Sequence, residues 1–459
     1  RDDVAFGVYD LDTDQPEVIV TQLTTHEFFF FEDDGAKVIG MLLNGKSLES
    51  VCSWIQQNKK GDTLENIHVA MAFLEEYASK FFIIDGVERI FSTQEKEVTP
   101  YVWRENDQES ARSADLEMEV HNRFNCRKKI ILCSAELTWN CNLRCQHCYN
   151  PTHDTTNLLT KEDWFSVIRQ LRAQGVYRAI LTGGDPLCYP YFWDVAEEMH
   201  RNHMAFDVYT NGQILSDPEK VSRLAELHPR SVQCSLYGIK PETHDFITTV
   251  PGSWEKTVRC LNLFADKQIP TLIKAIGMKP NYQELDDLAI FAQSIKAMLQ
   301  VDIGLIRKLD GNTAPLSLRL DEDEMMSVMK NKHLPLYQQT NNLKNMGSKY
   351  TPPETSLCTA GRVTINIRYD GTVTPCVSYG VSVGSVKNTR LSEILKSPEL
   401  LRVQSLKRSD RCKKCQACDM GGYCTFCPAN SLAEKGDALA DCSLTCQLVQ
   451  AYKKSAMEI

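Results

Sequence analysis

The length and composition of this chain favour several ordinary globular domains. It has 459 residues, of which 42% are hydrophobic and 24% charged, so each of two to four domains can bury its own core. No apolar run approaches the roughly 18–20 residues that cross a bilayer, and we expect a cytoplasmic protein with no membrane partner. The net charge of −9 argues against nucleic acid as the main partner.

The acidic residues are concentrated near the start of the chain. Residues 1–100 hold 8 Lys and Arg against 19 Asp and Glu, whereas the remaining residues hold 43 against 41. A solvated acidic surface is the simpler interpretation, and a surface for a basic partner is the alternative.

Residues 1–90 are predicted to form a small α+β domain with no catalytic group of its own. Strands are predicted from β-branched and aromatic runs, and helices from apolar residues at helical spacing. The predicted strands are 18–22, 28–31 and 81–84, and the predicted helices include 48–57 and 64–79. The charged, weakly periodic residues 91–127 that follow are interpreted as a linker.

Residues 128–350 alternate short apolar runs with longer helical segments such as 161–174 and 217–227. Six such alternations favour parallel strands joined by right-handed crossovers. The predicted strands are 130–137, 178–182, 206–210, 232–235, 271–277 and 301–306.

Cysteine is the most informative residue type, with 18 copies. A long chain without a signal-peptide pattern favours metal binding over a disulfide framework. Cysteine and glycine become frequent within residues 351–459, where long helices end, which indicates a domain held together by metal.

The first cysteine cluster is Cys141, Cys145 and Cys148, directly after the first predicted strand of the α/β region. Three thiolates from one loop can share one cluster, but a [4Fe–4S] cube normally takes four. One iron would stay open, as in catalytic metal sites. A zinc site with His147 as fourth ligand is the alternative, although the spacing fits it poorly.

Cys-x₃-Cys-x₂-Cys after a β-strand resembles the signature of radical S-adenosylmethionine (SAM) enzymes. The resemblance covers about residues 130–310 and implies a partial (β/α)₆ barrel. It also implies that SAM chelates the open iron through its methionine group. Reductive cleavage of SAM would then yield a 5′-deoxyadenosyl radical that abstracts a hydrogen atom.

Further positions resemble the cofactor contacts of this family in the expected order. Asp185 stands where the family's Gly-Gly-Glu element has Glu, so we expect a contact made mostly by backbone. Thr248 stands where relatives often have Arg, and one charge contact is therefore in doubt. The implied SAM-binding residues are His147, Gly183, Gly184, Asp185, Asn211 and Ser235.

The C-terminal region holds nine more cysteines, and two complete Cys₄ clusters need eight. Asp370-Gly371 predicts a hairpin turn that folds Cys358 toward Cys376. Zinc ribbons are the alternative to iron–sulfur clusters. The nine are Cys358, Cys376, Cys412, Cys415, Cys418, Cys424, Cys427, Cys442 and Cys446.

This pattern resembles the SPASM extension of radical enzymes that modify peptides, which implies two auxiliary clusters and three [4Fe–4S] clusters in total. Cys412 and Cys446 stay unassigned; either could be a fourth ligand of the nearer cluster, which could instead keep an open iron. The two-residue gap between Cys424 and Cys427 departs from the commoner three-residue gap of this extension. The shorter gap occurs in relatives that form sulfur-to-carbon bonds in peptides. The implied ligands are Cys358, Cys376 and Cys427 for the nearer cluster, and Cys415, Cys418, Cys424 and Cys442 for the outer one.

The element order of residues 1–90 resembles the leader-recognition domain of ribosomal peptide maturases. In that family the leader adds as a strand to an exposed sheet edge. A winged-helix-like packing domain without a ligand is the alternative.

The resemblances together predict a radical SAM oxidoreductase of the EC 1.21 kind that matures a ribosomally made peptide. It would install thioether cross-links, as sactipeptide and ranthipeptide enzymes do, and take electrons from a flavodoxin- or ferredoxin-type donor. Carbon–carbon cross-linking and sulfatase formylglycine formation are alternatives, although sulfatase maturases lack the leader domain. A non-catalytic iron–sulfur scaffold is the remaining class.

Overall fold

Two β-sheets organise the chain in the computed structural model. One is a three-stranded sheet near the N-terminus, and the other has nine strands. Among the described helices, none has the length and apolar character that a membrane span requires. The structure describes residues 3–58 except 14 and 26, eight positions between 66 and 77, and residues 108–153, 156–346, 354–420 and 424–458.

The N-terminal sheet is antiparallel. Strand β1 (Val4–Tyr9) pairs with β2 (Glu17–Gln22), which pairs with β3 (Phe28–Glu32). The predictions of β2 and β3 are confirmed, but β1 was not predicted because Ala5 and Gly7 are weak strand formers. Its burial against the larger sheet stabilises it: the Phe6 amide donates to the carbonyl of His203 at 3.1 Å.

Aromatic residues cover both faces of β3, as the alternation of side chains in a strand requires. The ring of Phe31 lies 5.8 Å from Phe73 and 5.3 Å from Tyr77. The ring of Phe30 lies 6.4 Å from Phe124 on the opposite face. The described positions around Phe73 are helical, in agreement with the predicted helix 64–79, while the predicted strand 81–84 falls outside the described residues.

Six parallel strands form the centre of the larger sheet, in the order in which they occur along the chain. This confirms the predicted partial (β/α)₆ barrel. The last strand spans 298–302 and not the predicted 301–306, because the apolar run continues into a buried loop beyond the paired segment. The strands are β4 (Leu132–Thr138), β5 (Arg178–Gly183), β6 (Ala205–Thr210), β7 (Ser231–Ser235), β8 (Thr271–Ile276) and β9 (Met298–Asp302).

The C-terminal region extends the same sheet. Strand β10 (Thr364–Ile367) pairs in parallel with β4, and β11 (Thr372–Thr374) and β12 (Gly384–Ser385) follow antiparallel. Gly371 occupies the predicted turn between β10 and β11 with φ of +87°, a backbone conformation that favours glycine. The barrel and the cysteine-rich region therefore share one continuous sheet.

Helices cover the barrel strands, and their buried faces are apolar, as helical periodicity requires. The helices are α1 (Asp33–Leu43), α2 (Leu48–Asn58), α3 (Gln108–Arg127), α4 (Lys161–Ala173), α5 (Phe192–Arg201), α6 (Pro218–Glu226), α7 (Pro241–Thr248), α8 (Ser253–Asp266), α9 (Leu285–Ser294), α10 (Glu322–Met329), α11 (Pro335–Met346), α12 (Leu391–Ile394), α13 (Pro398–Ser405), α14 (Lys413–Gln416), α15 (Pro428–Lys435) and α16 (Ser443–Glu458). Short 3₁₀ turns occur at Pro186–Cys188, Ile214–Ser216, Tyr282–Glu284, Ala314–Leu318 and Arg408–Asp410.

Helix α3 occupies residues 108–127 of the predicted linker 91–127, whose first part, 91–107, lies outside the described residues. Phe124 of this helix is fully buried in a cluster that also contains Tyr9 of the N-terminal sheet, Tyr177 of the barrel and Val363 of the C-terminal region. The guanidinium of Arg362 donates to the side chain of Asn125 at 2.9 Å. Periodicity in the sequence did not predict this helix, because the mean hydropathy of its residues is low. The contacts of the helix join three parts of the chain.

Phe124→Ala is expected to destabilise the protein by about 3–5 kcal/mol, because it removes a large buried side chain from this junction. The matched control on the same helix is Met118→Ala, since Met118 is 62% exposed, and it should change stability by no more than about 0.5 kcal/mol. Urea unfolding followed by tryptophan fluorescence measures both variants. Equal unfolding midpoints for the two would contradict the role of α3.

Candidate SAM and iron–sulfur site

The first cysteine cluster lies on the loop that follows β4, at the carboxyl end of the parallel strands, where ligands bind in such sheets. Backbone hydrogen bonds to the end of α7 hold this loop in place. The amide of Arg144 donates to the carbonyl of Thr248 at 3.2 Å, and that of Gln146 to Ile247 at 2.9 Å. These bonds fix the positions of the three thiols relative to the barrel.

The three thiols are partly buried and close enough to influence one another. Burial raises the pKa of Cys141 to about 11, and it also raises the pKa of Cys145 and Cys148. Repulsion from Cys141 and Cys148 raises the pKa of Cys145 further. Thiolate ligands at this position therefore require a bound cation, which is what a coordinated metal supplies.

A cavity of about 240 Å³ opens beside the three cysteines. Its walls come from the ends of successive strands, so residues far apart in the sequence face one space. Five of the six predicted SAM contacts line it: His147, Gly183, Gly184, Asn211 and Ser235. The side-chain amide of Asn211 also donates to the sulfur of Cys141 at 3.4 Å, which ties the cysteine loop to the third barrel strand.

Two glycines let the first and second barrel strands approach closely at this cavity. A Cβ atom at Gly183 would lie 2.0 Å from the carbonyl oxygen of Thr138, and φ at Gly183 is +134°. A Cβ atom at Gly184 would lie 2.3 Å from the carbonyl oxygen of Asn140. Any side chain at either position would push the cysteine loop away.

Asp185 has a different environment from the other predicted contacts. Its buried carboxylate accepts hydrogen bonds from the hydroxyl of Thr210 at 2.8 Å, the amide of Asn211 at 2.9 Å and the amide of Leu187 at 3.0 Å. The side chain is absent from the cavity lining. Asp185 therefore joins the ends of the second and third strands.

Tyr237 and Asn150 also line the cavity, although neither was predicted as a site residue. The ring of Tyr237 lies 4.4 Å from the ring of His147 in an edge-to-face contact. Tyr237 follows Ser235, the last residue of β7, by two positions. In an extended chain this spacing places both side chains on one side, which was the available signal. Burial and the nearby His244 lower the pKa of His147 to about 4, so its imidazole is neutral.

Three buried polar atoms at this cavity have no hydrogen-bond partner among the described residues: His147 Nδ1, Asn150 Oδ1 and His153 Nδ1. Buried polar groups are usually paired, and these atoms can therefore receive a polar ligand. Three thiols from one loop are also a suitable donor set for an iron–sulfur cluster. The residues present fit a cluster together with a polar, nucleoside-sized cofactor.

The C-terminal cysteines form two groups with Cys442 between them. The first group is Cys358, Cys376 and Cys427, which interact electrostatically with one another. Cys442 interacts with Cys427 on one side and Cys446 on the other. The second group is Cys412, Cys415, Cys418, Cys424 and Cys446.

Cys412 and Cys446, which the sequence left unassigned, both lie with the second group. Cys412 and Cys415 are hydrogen-bonded, and Cys446 interacts with Cys415 and Cys424. Within the described ranges, no three His, Cys, Asp or Glu side chains are gathered closely enough to hold a single metal ion.

Residues 136–292 match the radical SAM superfamily, and residues 358–419 match the SPASM iron–sulfur cluster-binding domain. The chain therefore contains a radical SAM domain followed by a SPASM domain. These two domains imply that it binds iron–sulfur clusters and SAM.

Two relatives match this chain over about two thirds of its length. The sporulation killing factor maturation protein SkfB of Bacillus subtilis is 25% identical over 288 residues, 61% of this chain and 68% of SkfB. The PqqA peptide cyclase of Rhizobium meliloti is 24% identical over 321 residues, 67% of this chain and 84% of the cyclase.

A solved structure shares the fold along nearly the whole chain. Streptococcus suis SuiB, bound to its precursor peptide SuiA, superposes with a TM-score of 0.60 at 15% identity, covering 97% of this chain and 99% of SuiB. The N-terminal sheet, the barrel and the C-terminal region therefore occur together in a known architecture.

Proposed function

We propose that this protein is a radical SAM oxidoreductase that joins a cysteine sulfur to a carbon atom within a ribosomally made precursor peptide. One observation carries the proposal. The cavity beside Cys141, Cys145 and Cys148 adjoins a second cavity of about 260 Å³, which borders Cys442, and Ile306 lines both. A substrate in this pair of cavities would lie between the radical site and the auxiliary cysteines.

In this proposal Cys141, Cys145 and Cys148 hold the first cluster, and the cavity residues hold SAM against it. When bound there, the cluster and SAM supply a radical that removes one hydrogen atom from the peptide. Gly183 and Gly184 offer their backbone to SAM, because no side chain fits there. His147 and Asn150 provide unpaired polar atoms, and Asn211 and Ser235 complete the wall.

The C-terminal domain would hold two auxiliary clusters, giving three in all. We assign Cys358, Cys376 and Cys427 to the nearer cluster, which has a position open to a substrate thiolate; a thiolate is a soft ligand suited to iron. The thioether forms when the peptide loses a hydrogen atom, a thiol proton and one electron. The auxiliary clusters held by these cysteines would accept that electron, and a flavodoxin- or ferredoxin-type protein would supply electrons for SAM cleavage. We assign Cys415, Cys418, Cys424 and Cys442 to the outer cluster.

The N-terminal domain, residues 1–90, would bind the leader of the precursor. Strand β3 is the outer strand of the three, whereas β1 is bonded to the barrel. A leader strand added beside β3 would gain backbone hydrogen bonds without disturbing that attachment. Relatives that are a peptide cyclase and a maturation protein support a peptide substrate.

The second candidate is a carbon–carbon cross-link formed on the same scaffold. The PqqA peptide cyclase is as similar to this chain as SkfB is, and the SAM cavity would serve either product. The two candidates differ in whether the substrate cysteine is consumed.

Co-expression without oxygen, with each short cysteine-containing peptide encoded beside the gene, tests the proposal. We expect the peptide to lose two hydrogen atoms per ring, and its cysteines to resist alkylation in mass spectrometry. The same mass loss with cysteines that still alkylate would support a carbon–carbon link. Peptides that all stay unmodified while SAM is cleaved would contradict the maturase function.

A further inference from the structure

The second cavity is unusually basic for an acidic protein. Arg307, Lys308 and Arg319 line it, and Glu434 is the one acidic residue among its lining residues. The chain as a whole carries a net charge of −9, and so this concentration of cations is local. Cavities lined by one sign of charge attract ligands of the opposite sign.

Glu434 is already engaged and does not form a close ion pair with these cations. Its carboxylate accepts hydrogen bonds from the amide of Ser443 at 3.0 Å, from the hydroxyl of Ser443 at 2.8 Å and from the sulfur of Cys442 at 3.4 Å. Burial tends to raise the pKa of Glu434, but these bonds outweigh it and hold the pKa below its ordinary value. The one ion pair recorded for Glu434 among the described residues is with Lys435 at 3.9 Å.

The three cations therefore lack a close ion-pair partner within the described part of the chain. Among the described residues, none of the three has a carboxylate within the 4.0 Å of an ion pair. Arg319 is half-buried; Glu434 acts on it as an opposite charge without forming a close ion pair, and Arg307 acts on it as a like charge. An anion between the two guanidiniums would relieve both the repulsion and the loss of hydration.

Hydrogen bonds fix this basic wall beside the radical site. The amide of Leu309 donates to the carbonyl of Tyr149 at 2.9 Å, which follows Cys148. The guanidinium of Arg319 donates to the carbonyl of Leu305 at 2.8 Å, and Leu305 lines the first cavity. The cations are therefore held at a fixed position relative to the cysteine loop.

We propose that Arg307, Lys308 and Arg319 bind a carboxylate of the precursor peptide, either an Asp or Glu side chain or the C-terminal carboxylate. This inference rests on the proposed maturase function. It adds that the three cations help to select which peptide residue reacts. Guanidinium groups pair with carboxylates through two parallel hydrogen bonds. Such a contact would fix the peptide register while the reacting carbon lies over the first cavity.

The test uses the cluster-loaded enzyme with the co-encoded peptide that it modifies. Arg307 is the residue to change, because no hydrogen bond or ion pair of its side chain is recorded in the described part. We expect Arg307→Gln to raise the KM for the peptide at least about thirtyfold, the low end for truncating one partner of a hydrogen-bonded charge pair. Arg307→Lys should recover part of the loss. Arg259→Gln, an exposed position on α8, is the matched control and should keep the wild-type KM.

Peptide variants identify the source of the carboxylate. Asp→Asn and Glu→Gln changes are made one at a time in the peptide core, and a C-terminal amide tests the chain end. The peptide that lacks the bound carboxylate should show the raised KM with the wild-type enzyme and no further rise with Arg307→Gln. Pairing Arg307→Glu with a Lys at that peptide position should restore binding, which excludes misfolding as the cause.

Three results would overturn the inference. A wild-type KM for the peptide in both Arg307→Gln and Arg319→Gln would show that the cations do not bind it. A raised KM for SAM in place of the peptide would assign the cations to the cofactor. A wild-type enzyme that modifies no co-encoded peptide would overturn the maturase function and this inference together. If the wild-type enzyme modifies a peptide but the arginine variants keep its KM, only this inference is overturned.

Discussion

Cys145→Ala is expected to lower the rate of reductive SAM cleavage by at least about a thousandfold, as loss of an essential catalytic group does. Cys145 is the middle thiol of the loop, and its loss leaves two thiols, Cys141 and Cys148, for a cluster that normally needs more. Formation of 5′-deoxyadenosine under reducing conditions, measured by chromatography, gives the rate. Iron analysis should show a loss of about four irons per chain, with the remaining iron in the C-terminal domain.

Cys126→Ala is the matched control for this prediction, because Cys126 is an exposed cysteine away from the cavity. It should keep both the iron content and the cleavage rate. An iron–sulfur scaffold without radical chemistry would show no SAM cleavage in the wild-type enzyme. Undiminished cleavage in Cys145→Ala would contradict the assignment of the first cluster.

Gly183→Ala is expected to weaken SAM binding strongly and to destabilise the barrel mouth by about 3 kcal/mol or more. The new Cβ atom would lie 2.0 Å from the carbonyl oxygen of Thr138, and backbone cannot move aside as a flexible side chain can. The strain at φ of +134° adds to this clash. We expect the dissociation constant of SAM, measured by equilibrium dialysis on the cluster-loaded enzyme, to rise at least about a hundredfold, as a ~3 kcal/mol change implies.

Gly436→Ala separates backbone strain from the steric clash. Gly436 also has a positive φ, +73°, but a Cβ atom there would meet nothing within 4 Å. The cost should be about 1 kcal/mol, with an unchanged affinity for SAM. If Gly183→Ala and Gly436→Ala behaved alike, the close approach of the two strands would not be the reason for glycine at position 183.

The sequence by itself determined the chemistry-bearing loop and the type of fold. Cys141, Cys145 and Cys148 are close together in the chain, and their spacing restricts them to one metal cluster wherever the loop lies. The alternation of apolar runs with helical segments is likewise a local property, because strand and helix periodicities repeat within a few residues. The order of the glycine and serine positions along successive strand ends then placed five of the six predicted SAM contacts in one cavity.

The tertiary structure alone decided the features that join distant segments. Arg362 and Asn125 are hydrogen-bonded although they are 237 positions apart, and the parallel pairing of β10 with β4 spans a similar separation. The carboxylate of Asp185 faces three hydrogen-bond donors, two of them on a different strand end, and is therefore not available to the cavity. Such contacts leave no periodic signal, because they depend on how elements pack and not on the residues next to them.

In the cysteine-rich region and the basic cavity, too, the sequence shows the residue types and the tertiary structure decided which of them lie together. The sequence predicted cluster ligands among nine cysteines and left Cys412 and Cys446 unassigned. Only folding placed these two with the second group and Cys442 between the groups. Arg307 and Arg319 belong to a different segment from Glu434, and none of them forms a motif. They share a cavity because the segment after β9 and helix α15 both form its walls. The positive charge is concentrated there, and the composition of the whole chain does not reveal it.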